Sequence, residues 1–166
     1  MGEAAHIEQI RGLGVELARQ YLWEVVIPNV PDMDGDAQQL TFRAMSTTVP
    51  DLVTEVFELQ YKSTKVNWAG RDASAKTFDI TFFDGEDFLV YKAMYGWLRY
   101  IETAPKSSYA KIITMLLLGR DDSAIMKVNL RNAFIENLQP LTLDYTVNDP
   151  INIPVTLRYD QLEIVE

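Results

Sequence analysis

Apolar and polar residues alternate with a period of two in several segments of the chain, the spacing of half-buried β-strands. The clearest run is Lys76 to Phe83, where Phe78, Ile80 and Phe82 take one face and Thr77, Asp79 and Thr81 the other. Tyr21 to Ile27 is rich in aromatic and β-branched residues and predicts a strand ended by Pro28 and Pro31. Leu40 to Ser46 predicts a second strand, and Lys111–Leu118, Ile125–Leu138 and Asn152–Val165 predict the later ones. Ile125–Leu138 reads either as two strands or as one bent strand. A helix is expected over residues 86–102, where Phe88, Tyr91, Tyr95, Leu98 and Ile101 recur three or four apart. Asp84 is its expected N-cap, with Glu86 and Asp87 favourable in the first turn.

Residues 53–70 predict a long hairpin turning at Lys62-Ser63-Thr64. Val53, Glu55, Phe57 and Leu59 share one face of its first strand; Thr54, Val56, Glu58 and Gln60 share the other. Its apolar content reads as modest and spread over both faces, so it is not expected to bury one clean face within its own domain. An isolated hairpin is marginal in water, so a neighbour is expected to support it. Val53, Glu55, Phe57, Leu59, Lys65 and Trp68 are the expected contacts with other subunits. For Trp68, the chain's own core and a subunit contact remain equally open. Residues 1–20 read as an N-terminal arm, with Ile7, Ile10, Gly14 and Leu17 at helical spacing.

The 166 residues suit one domain over 1–166, large enough to hold a core without disulfides or metal. There are no cysteines, which removes thiol catalysis and thiolate metal sites. The only histidine, His6, lies on the expected arm, a poor place for a base that must be held against a nucleophile. Asp32-Met33-Asp34-Gly35-Asp36 opens like a calcium loop, but Ala37 and Arg43 stand where that loop needs Gly and Glu. Gly12-Leu13-Gly14 opens like a dinucleotide motif without the strand that must precede it, and no P-loop sequence occurs. Glu55/Glu58 and Asp84/Glu86/Asp87 read as a ribbon surface and a helix start, and Phe78, Phe82, Phe88, Tyr91 and Tyr95 as core positions. No enzyme, cofactor or metal site is expected. The longest apolar run, Ile112 to Leu118, is too short for a membrane helix, and the N-terminus lacks the pattern of a secretory signal. Net charge is −9, which does not suit a protein that grips DNA through its average field.

The ordered series of segments resembles one family. ELARQYLWEVVI (16–27) leads to a second strand; Ala44 to Pro50 follows with one residue more than the usual spacing; then come VNWAG (66–70), TFDITFFD (77–84), a helix, a strand pair, and PVTLRYDQLEI (154–164). Over residues 16–166 this is similar to the tail tube proteins of contractile-tailed bacteriophages. The resemblance implies a mainly β fold: two packed antiparallel sheets, sandwich- or barrel-like, with one flanking α-helix and a long protruding hairpin. It implies a structural subunit whose hexameric rings stack, partly through the hairpin, around a channel for DNA ejection. Implied partners are further copies of the chain, the tail sheath protein, baseplate and tail-terminator proteins, and a tape measure protein in the lumen; DNA passes without specific binding, and no membrane is involved. The implied location is the virion tail, assembled in the host cytoplasm.

Tubes of phage-derived injection and secretion systems and baseplate tube-initiators share this fold and are the alternatives. The short chain favours the repeated tube subunit over an initiator. A monomeric β-barrel hydrolase or binding protein is the third reading. Strand parity nominates Thr77, Asp79 and Thr81 for the lumen, and equally Lys127, Asn129 and Arg131, which alternate with Met126, Val128 and Leu130. Six copies of a −9 chain carry −54, so a net acidic lumen is expected. The acidic loop 29–39 departs from the family pattern and is expected to point away from the channel, toward the sheath.

Overall fold

The computed structural model describes residues 12, 14, 17–31, 33 and 35–165. His6, Ile7, Ile10, Asp32 and Asp34 therefore lie outside the described residues, along with most of the arm. Nine strands and three short or medium helices are described: β1 (Trp23–Val26), α1 (Gln38–Phe42), β2 (Ala44–Thr47), β3 (Thr54–Tyr61), β4 (Thr64–Asp72), β5 (Thr77–Phe83), α2 (Leu89–Ile101), α3 (Lys106–Tyr109), β6 (Lys111–Leu118), β7 (Ala124–Leu138), β8 (Asn152–Arg158) and β9 (Gln161–Val165). All strand pairs are antiparallel.

Two sheets face each other across one core. The first contains β1, β6, β7 and β9; the second contains β2, β5, β8 and the end of β7. Val25, Ile113, Met115, Val128 and Leu130 fill the core from the first; Phe78, Ile80, Phe82, Ile153, Val155 and Leu157 fill it from the second. Each set sits at alternate strand positions, the period-two pattern of a sheet with one buried face. β3 and β4 form a separate two-stranded ribbon.

β7 settles the ambiguity over Ile125–Leu138: it is one bent strand of 15 residues. Residues 124–133 pair with β6, and 134–138 pair with β8. The bend falls at Asn132, whose φ of 54 lies in the left-handed region, which Asn tolerates better than most residues. Arg131 and Asn132 are both exposed, so the parity of the strand switches there: Val128 and Leu130 point inward before it, Ala133 and Ile135 after it. An extra residue at a bulge has this effect.

Three expectations need correction. Leu40–Ser46 is not one strand: α1 comes first and drives Leu40 fully into the core, and β2 begins at Ala44. There is also more than one helix. α3 follows Pro105, and its Tyr109 carbonyl accepts a hydrogen bond from Trp97 Nε1 at 2.9 Å. The helix expected over 86–102 starts at Leu89, and its buried face is Val90, Ala93, Met94 and Trp97. Phe88 and Tyr95 are exposed, while Tyr91, Leu98 and Ile101 flank the core. The face is rotated because Phe88 and Tyr95 also recur at helical spacing, and periodicity alone does not rank two adjacent stripes. Asp84 does cap the helix, at longer range than expected. Its carboxylate accepts from Val90 N at 3.3 Å and Tyr91 N at 3.1 Å, and from Arg43 Nη1 at 2.8 Å.

Candidate assembly surfaces

The β3–β4 ribbon is exposed along its whole length. Its base is tied where Ala73 N donates to Val53 O at 2.8 Å. Pairing runs Phe57↔Trp68, Leu59↔Val66 and Tyr61↔Thr64, which leaves a two-residue turn at Lys62-Ser63. Lys62 takes the left-handed φ of 53 that such a turn needs. Residues opposite each other in an antiparallel pair share a face. Phe57, Leu59, Tyr61, Val66 and Trp68 therefore form one apolar face. Glu58, Gln60, Lys65 and Asn67 fall on the other, where Lys65 Nζ lies 3.5 Å from Glu58.

The expectation of apolar content on both faces thus gives way to a sided ribbon, with Val56 the main apolar residue on the polar side. Val53, Glu55, Phe57, Leu59, Lys65 and Trp68 all lie on this exposed unit or its base. Trp68 is 54% exposed and takes no part in the chain's own core. Tyr61, next in parity after Leu59 on β3, and Val66, which only the register with β4 reveals, complete the face. Gly70 has its own reason: a Cβ there would sit 3.0 Å from Glu55 O, where the register shifts between Thr54 and Val56.

The two sets nominated for a lumen fall on different layers. Thr77, Asp79 and Thr81 lie on the outer face of the second sheet, opposite Arg158, Thr156 and Pro154 of β8. Asp79 is held there by Thr156, whose hydroxyl donates to Oδ1 at 2.7 Å. Arg158 pairs with Glu136 at 2.8 Å, leaving Asp79 as the unbalanced charge among these residues. Lys127, Asn129 and Arg131 lie on the outer face of the first sheet. There Asn129 accepts from Thr114 Oγ1 at 3.0 Å, and Arg131 pairs with Glu163 at 2.6 Å. With the core between the layers, the two sets face opposite ways. Among the described residues, β2 and the far end of β7 leave the second sheet with an unpaired edge on each side, the arrangement that invites pairing with another chain.

Among the described residues no group of carboxylates or histidine is placed to hold a metal ion, and no helix is long and apolar enough to cross a membrane.

No protein-family model matches the chain, and no curated protein sequence matches it. Solved structures do. The cap that terminates the tube of the anti-feeding prophage is 18% identical, with a TM-score of 0.67 over 91% of this chain and 92% of that one. The sheath/tube terminator of an extracellular contractile injection system is 18% identical, with a TM-score of 0.72 over 92% and 99%. A chain of the same system's sheath-tube complex gives 18% and 0.63 over 95% and 96%. The protein has the mainly β fold of tail-tube proteins, as the ordered segments of its sequence suggested.

Proposed function

We propose that this chain is the repeating tube subunit of a contractile bacteriophage tail, a structural protein without catalytic activity. Six copies close into a ring around a channel, and the rings stack inside a sheath. The observation that carries this reading is the ribbon of residues 54–72. It exposes Phe57, Leu59, Tyr61, Val66 and Trp68 on one face and buries none of them in its own domain. Such a surface is costly in a monomer and serves a neighbouring subunit.

The second sheet supplies the channel wall in this reading. Its open edges at β2 and β7 allow side-to-side pairing in a closed ring, which leaves no strand edge free. Thr77, Asp79 and Thr81 then face the lumen, while Lys127, Asn129 and Arg131 face outward. The channel passes DNA without holding it and houses a tape measure protein during assembly; sheath, baseplate and terminator proteins are the further partners. The particle is built in the host cytoplasm and ends in the virion tail.

A second reading is the tube or terminator of a phage-derived injection system. It is favoured by the likeness to injection-system caps and tubes. Capsid and terminase genes beside this one would select the phage; effector genes would select the injection system. The test of the shared core is negative-stain imaging with mass measurement of the purified chain at rising concentration. Six-fold rings and tubes are expected, whereas a strict monomer at millimolar concentration rejects both.

A further inference from the structure

The two ends of β5 carry unlike surfaces. At the Thr77 end the chain leaves for the ribbon, whose tip bears Lys62. That ammonium lies 5.5 Å from the Tyr61 ring centroid and pairs with no carboxylate among the described residues. The ribbon's other cations are matched within it, Lys65 by Glu58 at 3.5 Å and Arg71 by Glu55 at 4.0 Å.

At the Phe83 end, three loops converge. Asp84 N donates to Ile151 O at 3.3 Å, tying the turn before α2 to the loop of residues 139–151. Gly35, in the loop before α1, lies so close to α2 that a Cβ would sit 3.1 Å from Leu89 Cδ1. These loops bring Asp36, Glu86, Asp87, Asp144 and Asp149 to one end of the domain. The nearby cation, Arg43, is spent on Asp84 and Asp87, at 2.8 and 2.9 Å. The same end exposes Leu143, Tyr145 and Val147, with Tyr145 wholly in solvent. Tyr145 is held out by a tight turn in which Asp144 Oδ1 accepts from Thr146 N and Oγ1 at 2.9 and 2.8 Å. One end therefore offers a cation on an apolar ribbon; the other offers carboxylates around exposed apolar side chains.

Copies stacked head to tail along one axis bring unlike ends together. We propose that the loop of residues 139–151, with Glu86 beside it, receives the hairpin of a second copy in the next ring. Lys62 faces Asp149 and Glu86, and the Phe57–Trp68 face covers Leu143, Tyr145 and Val147. This rests on the tube reading for the stacking of copies and adds which surface does the receiving.

The chain has no cysteine, so a pair can be introduced on a clean background. The Lys62→Cys, Asp149→Cys double variant, mildly oxidised at high concentration and run on a non-reducing gel, should give a covalent ladder running past six chains, since a disulfide forms only between residues that face each other closely. Either single variant should stop at dimers. A ladder that ends at dimers, or at six chains as a contact within one ring would give, overturns the proposal. Charge reversal provides a second measurement. Lys62→Glu should raise the concentration needed for stacking about ten-fold, since six weak pairs act together, and adding Glu86→Lys with Asp149→Lys should bring it back. Failure of the combined variant to recover also overturns the proposal. Imaging separates this from the ring reading: a long ladder without six-fold rings sinks the rings alone, and rings without the ladder sink only the hairpin's receiver.

Discussion

Phe57 and Trp68 stand directly opposite each other across the β3–β4 ribbon, each 54% exposed. A cross-strand aromatic pair steadies a ribbon by a fraction of a kcal/mol to about 1 kcal/mol. This pair leaves most of its apolar area unspent within the chain.

Substitutions of two tryptophans should therefore have opposite signatures. Trp97→Ala empties a fully buried site and should cost roughly 3–5 kcal/mol of monomer stability. Trp68→Ala should cost less than about 1 kcal/mol in the monomer yet prevent normal stacking. Chemical denaturation of the monomer and imaging of the assembly would read the two effects separately. Normal tubes from Trp68→Ala would remove the ribbon from the assembly.

Asp84 is the most consequential single carboxylate. Its side chain is fully buried and accepts hydrogen bonds from Arg43, Gly85, Val90 and Tyr91. Asp84→Ala would leave Val90 N and Tyr91 N at the helix start without their side-chain acceptor, and Arg43, only 15% exposed, with Asp87 as its remaining carboxylate partner. A loss of about 2 kcal/mol is expected, measured as a lower urea midpoint. Glu86→Ala, on the neighbouring exposed position, should leave the midpoint nearly unchanged.

Acid should weaken the fold through several surface carboxylates. Arg43 lowers the pKa of Asp87, Ser74 that of Asp72, Thr146 that of Asp144, and Lys106 that of Asp160. Groups with a depressed folded-state pKa contribute stability above the ordinary carboxylate range and lose it as pH falls through the depressed values. The urea midpoint should hold steady from about pH 7 to 5 and fall below about pH 4. Tyr159 acts at the other extreme. Burial, with Asp51 and Asp72 nearby, raises its pKa above the usual 10.0. The stability of its neutral form should be complete below that ordinary value and decline as the pH rises through the raised one.

The channel assignment predicts a DNA response. Assembled tubes should show no micromolar DNA binding at about 150 mM salt, because on the proposed wall Arg158 is already paired with Glu136 and is not available to replace counterions. Asp79→Lys would place one new cation per subunit on that face and should create binding that weakens steeply with salt. A Lys127→Glu variant should leave DNA behaviour unchanged. Steep salt-dependent binding by the unmodified tube would reject the repulsive wall.

The strands were legible because their signal is local. Phe78, Ile80 and Phe82 are buried as their alternation predicts, and β6 spans the residues its apolar run marked. α1 was not legible, since five residues are too few to show a helical period. The sided ribbon was half legible. Parity on β3 placed Phe57 and Leu59 together, but only the register across Lys62-Ser63 adds Val66 and Trp68 to them. The lumen candidates could not be sorted from sequence because Asp79 and Lys127 alternate equally well; their separation comes from how β5 and β7 are distributed between two layers. The switch of parity at Asn132 left no mark in composition.

Among the described strands, β7 is the one that both layers hold by backbone hydrogen bonds. Two sheets joined only by side-chain packing can creep past each other under a sideways load. Here such creep would require peeling a hydrogen-bonded ladder, so the domain resists shear as a braced box does. In the tube proposed above, such units can be driven forward by a contracting sheath and carry the thrust along its length, with little of it lost to deformation inside each subunit.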